Sequence, residues 1–235
     1  MVRVIVQVAR RSRLGATEDD GERDLCQSGQ RLVEPAVELS GIDLRSSSTL
    51  RSDEPFVGRF VRVEPLEERH REGLRAAAGE DAAIFRFMSY PGEFDRWFDD
   101  ALAAPADVAF AVVFGGSEAG STRYLNHEAL HRRAEIGWTW LRPSAWGTGA
   151  NVETKLLLLE HAFERCGLQR VEFKTDARNE RTRGALLALG AQFEGIFRKH
   201  MMLPTGPRDS AWYGIIEDDW PEVKARLLWR LQSRE

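Results

Sequence analysis

Cysteine is nearly absent from this chain, and so is any surplus of positive charge. Of 235 residues only two are cysteines: Cys26 in a polar stretch and Cys166 near an expected helix end. Two such thiols support neither a disulfide framework nor a thiolate metal site, and a reducing, cytoplasmic setting fits them. His127 and His131 lie close together but lack a third partner at ligand spacing, so no metal is expected. The 33 Lys and Arg residues fall short of the 37 Asp and Glu, a formal net charge of −4. Nucleic-acid partners are disfavoured, because their binders gather basic charge on one face. No apolar run reaches the roughly 20 residues of a membrane-spanning helix. The apolar opening Met1 to Val8 is short and is followed by Arg10, Arg11 and Arg13, whereas an export signal carries its charge first.

With 43% hydrophobic residues, the chain can bury one good core and carry an extension, but not two full domains. Ser12 to about Asp53 is rich in Ser, Gly, Arg, Glu and Asp and has no sustained period of 2 or 3.6, so it cannot offset its ordering entropy by burial. Residues 1–54 therefore read as a poorly ordered extension, with Val2, Val4, Val6 and Val8 as a stray strand, and residues 55–235 as the folded domain.

Hydrophobic periodicity places the elements. Arg59 to Leu66 alternates and stops at Pro65, which suits a strand. Glu67 to Ala78 and Pro91 to Ala104 read as helices, the second with Pro91 near its first turn and Phe94, Trp97, Phe98 and Leu102 at helical spacing. Val108 to Phe114 is apolar throughout, as a central strand would be, and Gly115-Gly116 turns it into a return strand, Gly120 to Leu125. In Ala134 to Leu141, the residues Ala134, Ile136, Trp138 and Trp140 are expected to share one face. A helix over about Asn151 to Cys166 follows from Val152, Leu156, Leu159, Phe163 and Cys166. Then come a strand over Arg170 to Thr175, a helix over Asn179 to Leu189 closed by Gly190, strands Gln192 to Met202 and Ser210 to Ile216, and a helix over Trp220 to Leu231. The order is mixed α/β.

Between the strand ending at Leu141 and the next helix lies Gly147-Thr148-Gly149-Ala150-Asn151. Small residues just before a helix let backbone amides and the positive end of the helix dipole meet an anion. A P-loop would need Gly-Lys-Ser/Thr and a dinucleotide fingerprint a third glycine, where this chain has Val152. What remains is a loop that cradles a phosphate without breaking it.

Five stretches occur in a fixed order: Gly120-Ser121-Thr122-Arg123-Tyr124, Glu135-Ile136-Gly137-Trp138-Thr139-Trp140, the loop just described, Asn179-Glu180-Arg181-Thr182 with Gly190-Ala191, and Glu194-Gly195 before Arg198. In these, residues 56–232 resemble the GNAT superfamily of N-acetyltransferases, in the branch of the RimJ and RimL ribosomal-protein acetyltransferases. The resemblance implies a mixed, mostly antiparallel sheet flanked by helices, in which the strand 134–141 splays from the strand 170–175. It implies acetyl-CoA in the gap. The pantetheine arm would pair with backbone from Trp138 through Trp140 to Leu141, and the pyrophosphate would rest on Gly147, Thr148, Gly149, Ala150 and Asn151, with Asn179 alongside. Many relatives carry Arg or Gln about five residues before the second glycine. This chain has Ser144-Ala145-Trp146 there, so that phosphate contact is absent or comes from elsewhere.

The implied chemistry is direct attack of an amine on the thioester in a ternary complex, the amine belonging to a protein N-terminus or a small molecule. A backbone N–H near Leu141 would meet the oxyanion. Where many relatives place a Tyr this chain has Leu186, and Thr182 takes over as partner of the departing thiolate. Glu135 and His200 are candidates to take the amine proton through water, and His127 and His131 could touch the acceptor. Transfer of a larger acyl group such as succinyl, or a sensor or scaffold that only binds acyl-CoA, are the alternatives. A homodimer through the final strands and helix is plausible.

Overall fold

The computed structural model of the chain describes residues 50–88, 93–203 and 205–233. The short strands β1 (Phe56–Val57) and β2 (Val61–Pro65) are followed by helices α1 (Arg71–Gly79) and α2 (Phe94–Ala103), then by strands β3 (Val108–Phe114), β4 (Ser117–Glu128) and β5 (Arg133–Leu141). Helix α3 (Ala150–Glu160) precedes β6 (Arg170–Asp176), α4 (Glu180–Leu189), β7 (Gln192–Leu203), β8 (Gly206–Ile216) and α5 (Trp220–Gln232). All eight strands join one sheet in the order β1-β2-β3-β4-β5-β6-β8-β7. Neighbours are antiparallel except β5 and β6.

The sheet buries both faces. On one, Val63, Phe110, Ile136, Val171, Phe173 and Tyr213 pack against α3, α4 and α5. On the other, Ala111 and Trp140 meet Leu74, Trp97 and Phe98 of α1 and α2. Leu50 is already part of the first cluster, with 2% of its surface exposed. Residues 1–49 of the expected extension, which include the stray strand at Val2 to Val8, and Pro91 fall outside the described residues.

Most element boundaries lie within a few residues of the expected ones, and β3 matches at both ends. Three differences have physical causes. Helix α1 begins only after a 3-10 turn at Glu68–His70, and the long helix expected to Cys166 closes with a π turn at His161–Arg165. The third is in β5, where Trp138 has φ of +49° and the pairing with β4 shifts between Ser121 and Arg123. This bulge inserts a residue and turns the strand over. As a result Ala134 and Ile136 pack with α3, whereas Trp138 and Trp140 pack with α1 and α2. The single shared face expected for these four residues is therefore corrected to two.

Candidate active site

Strands β5 and β6 pair only from Arg133 with Arg170 to Glu135 with Glu172. Past that point the two strands part and their ladder ends. A cavity of about 350 Å³ opens in the gap. Its walls include Glu135, Trp138, Trp140 and Leu141 of β5 and Gly147 and Asn151 at the start of α3, together with Asn179 and Thr182 of α4.

The loop at the mouth owes its shape to small residues. Gly147 has φ of +72° and open space where a Cβ would stand, a conformation that glycine adopts without strain. Thr148 donates its hydroxyl to Ala145 O (2.7 Å) and accepts from Ala150 N (3.1 Å). Gly149 is the N-cap of α3 and has no side chain to cap it. One turn further on, Glu153 is buried and accepts three amides, from Arg59 (2.7 Å), Phe60 (2.6 Å) and Val61 (2.8 Å). It pins the start of β2 to the first turn of α3 and so holds the loop between them. At the neighbouring helix, Asn179 caps α4 by accepting from Thr182 N at 3.1 Å.

A cation also stands at the mouth. The Arg181 guanidinium lies 3.6 Å from the centre of the Trp146 ring, a stacking that favours a planar, delocalised cation. Both side chains line the cleft beside Gly147. Ser144-Ala145-Trp146 carries no charge, and the cation beside it comes from α4, which sequence spacing within the loop could not show.

Strand alternation assigns the remaining side chains to faces. Ala134, Ile136, Val171 and Phe173 face α3, so Glu135 and Lys174 face the other way. Glu135 is 1% exposed, and its Oε2 takes bonds from Lys174 Nζ (2.9 Å) and Asn126 Nδ2 (2.9 Å). Arg208, from β8, joins them at the cleft wall and donates from Nη1 to Phe87 O at 3.2 Å.

From the α3 side comes Lys155, which the sequence reading passed over. It is 4% exposed, lines the cleft, and donates to Thr139 Oγ1 (2.7 Å) and Thr122 Oγ1 (3.3 Å) just past the bulge. Burial pulls its ammonium down from the ordinary lysine value to about 7.

Of the sequence candidates, Glu135, Trp138, Trp140, Leu141, Gly147, Asn151, Asn179 and Thr182 come together around the cavity, with Thr148, Gly149 and Ala150 in the adjoining loop. Leu186 lines it too. His200 does not. Its Nδ1 lies 3.1 Å from Ser210 Oγ and its ring packs against Phe197 and Trp212, outside the cavity wall. His127 borders a separate small cavity with Leu50 and Tyr124.

Residues 61–192 match the family model described as an acetyltransferase (GNAT) domain. The chain belongs to the GNAT acetyltransferase family. A solved acetyltransferase structure from T. thermophilus is 40% identical, with a TM-score of 0.71 over 77% of this chain and 98% of that one. A GCN5-related N-acetyltransferase from Brucella melitensis is 28% identical, with a TM-score of 0.74 over 78% and 87%. Among curated proteins, an N-acetyltransferase named YoaA from Bacillus subtilis is 33% identical over 87 residues, which is 37% of this chain and 49% of that relative. The matched stretch therefore spans about half of YoaA. Mycobacterium smegmatis RimJ, solved with CoA-disulfide, shares the GNAT fold at 20% identity and a TM-score of 0.63.

Proposed function

We propose that this GNAT acetyltransferase draws its acyl group from acetyl-CoA, bound in the gap between β5 and β6, and transfers it to a primary amine of a protein N-terminus or a small molecule. The observation that carries the reading is the parting of two parallel strands after three residue pairs, with an uncapped glycine loop and Arg181 at the mouth. An extended, amide-bearing arm would lie along β5 past its pairing with β6 as an added strand does, and a pyrophosphate would sit at the start of α3 beside the arginine. The RimJ/RimL-like branch and a cytoplasmic setting belong to the same reading.

In the transfer, the amine nitrogen forms a bond to the thioester carbon, the C–S bond breaks and the thiolate leaves. The Thr182 hydroxyl, at the cleft edge of α4, donates to that thiolate. The amine proton goes to a group on the cleft wall. Glu135 spends its Oε2 on Lys174 and Asn126, whereas Lys155 has no carboxylate partner among the described residues and titrates at about 7. Lys155 is therefore the better acceptor at neutral pH, and Glu135 is left to attract the acceptor's ammonium. His200, off the cleft wall, has no part in the scheme.

The test is release of free thiol from acetyl-CoA and from succinyl-CoA in the presence of mixed amine acceptors. Acceptor-dependent release from acetyl-CoA is the expected result. CoA binding by calorimetry without thiol release from any pair would leave only a sensor or scaffold role.

A further inference from the structure

Several of the charges that neighbour Arg208 on the sheet are paired. Lys174 meets Glu135, Arg178 meets Asp176 (2.8 Å), and Arg170 and Arg133 share Glu172. Arg208 is 7% exposed, yet among the described residues no carboxylate lies within ion-pair distance of it. Of the five N–H donors a guanidinium carries, only one is spent among the described residues, on Phe87 O, and Nε is buried with no partner among them. Burial works against its charge more strongly than nearby Asp176 and Glu135 support it. Those two carboxylates are already engaged by Arg178 and by Lys174. A buried guanidinium left this way is costly to a fold unless an anion completes it.

The position of Arg208 shows what could complete it. Met201 is its register partner on β7, and Phe87 and Met88, which follow α1, complete the wall around it. This is the face of Glu135 and Lys174, whereas Lys155 reaches the gap from the opposite, α3 side. We infer that Arg208 binds a carboxylate of the amine acceptor, so that the acceptors are amino acids or amines bearing a carboxylate near the reactive nitrogen, with Glu135 drawing the ammonium end. The inference rests on the acyl-transfer reading, and it narrows the acceptor from any primary amine to a zwitterion. The apolar wall of Met201 and Met88 suits the rest of such a molecule.

The test separates the two claims. N-acetylglycine and the uncharged N-acetylglycinamide, which mimic a carboxylate-bearing product and its neutral counterpart, are titrated by calorimetry into the wild-type chain and Arg208→Gln, each with and without saturating CoA. Expected is at least a tenfold preference of the wild type for the carboxylate, lost in Arg208→Gln while CoA affinity is unchanged. If Arg208→Gln does not fold, Arg208→Lys, which keeps a charge but not the two-pronged geometry, is expected to show a reduced preference. Equal binding of the two probes by the wild type, or a preference that survives in the variant, overturns the inference. A third result, Arg208-dependent preference for succinyl-CoA over acetyl-CoA, would put the carboxylate on the acyl donor and overturn the acceptor assignment. Failure of CoA itself to bind would instead sink the acyl-transfer reading, leaving the CoA-free titration as a test of Arg208 alone.

Discussion

Two lysines reach the same cleft from opposite faces of one sheet, and they are held in different ways. Lys174, on β6, ends against the Glu135 carboxylate, 2.9 Å away. Lys155, on α3, ends against two threonine hydroxyls and has its ammonium pulled down to about 7. The first is held in an ion pair. The second is a charge that burial makes easy to lose. A buried cation with a carboxylate keeps the site's structure, while one given only hydroxyls becomes available for proton transfer.

The comparison breaks most visibly in stability. Lys174→Met leaves Glu135 buried and unpaired except for Asn126, and is expected to cost about 3 kcal/mol in denaturant unfolding. Lys155→Met removes an uncompensated cation and leaves the Thr122 and Thr139 hydroxyls bonded to each other at 2.8 Å. It is expected to be neutral or stabilising at pH 7. Equal losses in the two variants would mean that the lysines are held alike.

Activity separates the two in the opposite sense. Lys155→Met is expected to lower kcat about 100-fold, the lower range for loss of a proton acceptor. In the wild type, kcat should rise with pH through about 7 as the lysine loses its proton, and this limb should vanish in the variant. A limb that persists would take Lys155 out of the chemistry. Stability carries the same signature, with its own sign. The native state holds the lysine neutral above about 7, while the unfolded chain keeps it charged up to its ordinary 10.5. The unfolded state thus binds more protons between those values, and stability rises with pH by up to about 1.4 kcal/mol per unit. The difference between wild type and Lys155→Met, measured at pH 7 and pH 9, isolates that slope.

Smaller effects sharpen the contrast between the chemical end of the cleft and its mouth. Thr182→Ala removes one hydrogen bond to a developing thiolate, worth about 1.5 kcal/mol or roughly tenfold in kcat, with CoA affinity retained. Arg181→Ala removes a half-exposed cation from the mouth, and about fivefold weaker CoA binding with kcat unchanged is expected. An exchange of these two phenotypes would reverse the assignment of the ends.

Much of the frame was legible because local and global signals agree there. The unbroken apolar run Val108 to Phe114 could only be a central strand, and Gly190, with φ of +110°, closes α4 where the pattern ended. The loop at Gly147 and the Asn179 and Thr182 pair were legible from residue type and order. The turn-over of β5 was not, since Ala134, Ile136, Trp138 and Trp140 alternate without interruption and nothing in the letters marks Trp138 as left-handed. Lys155 did leave a signal. It stands three residues after Val152 and four before Leu159, on the apolar stripe of α3, where a charge demands a reason. Arg208 left none, because its meaning depends on β7, β8 and the residue Phe87 meeting at one wall, and that is set by tertiary register.

The central claim is that the gap between β5 and β6 is the CoA site, with pantetheine along β5 and pyrophosphate on the loop. Hydrogen exchange of the backbone amides, with and without CoA, tests it directly. The account predicts slowed exchange in residues 138–142 and 147–152 on CoA addition, and little change in β1, β2 or α5. Protection elsewhere, with those two segments unaffected by bound CoA, would contradict it.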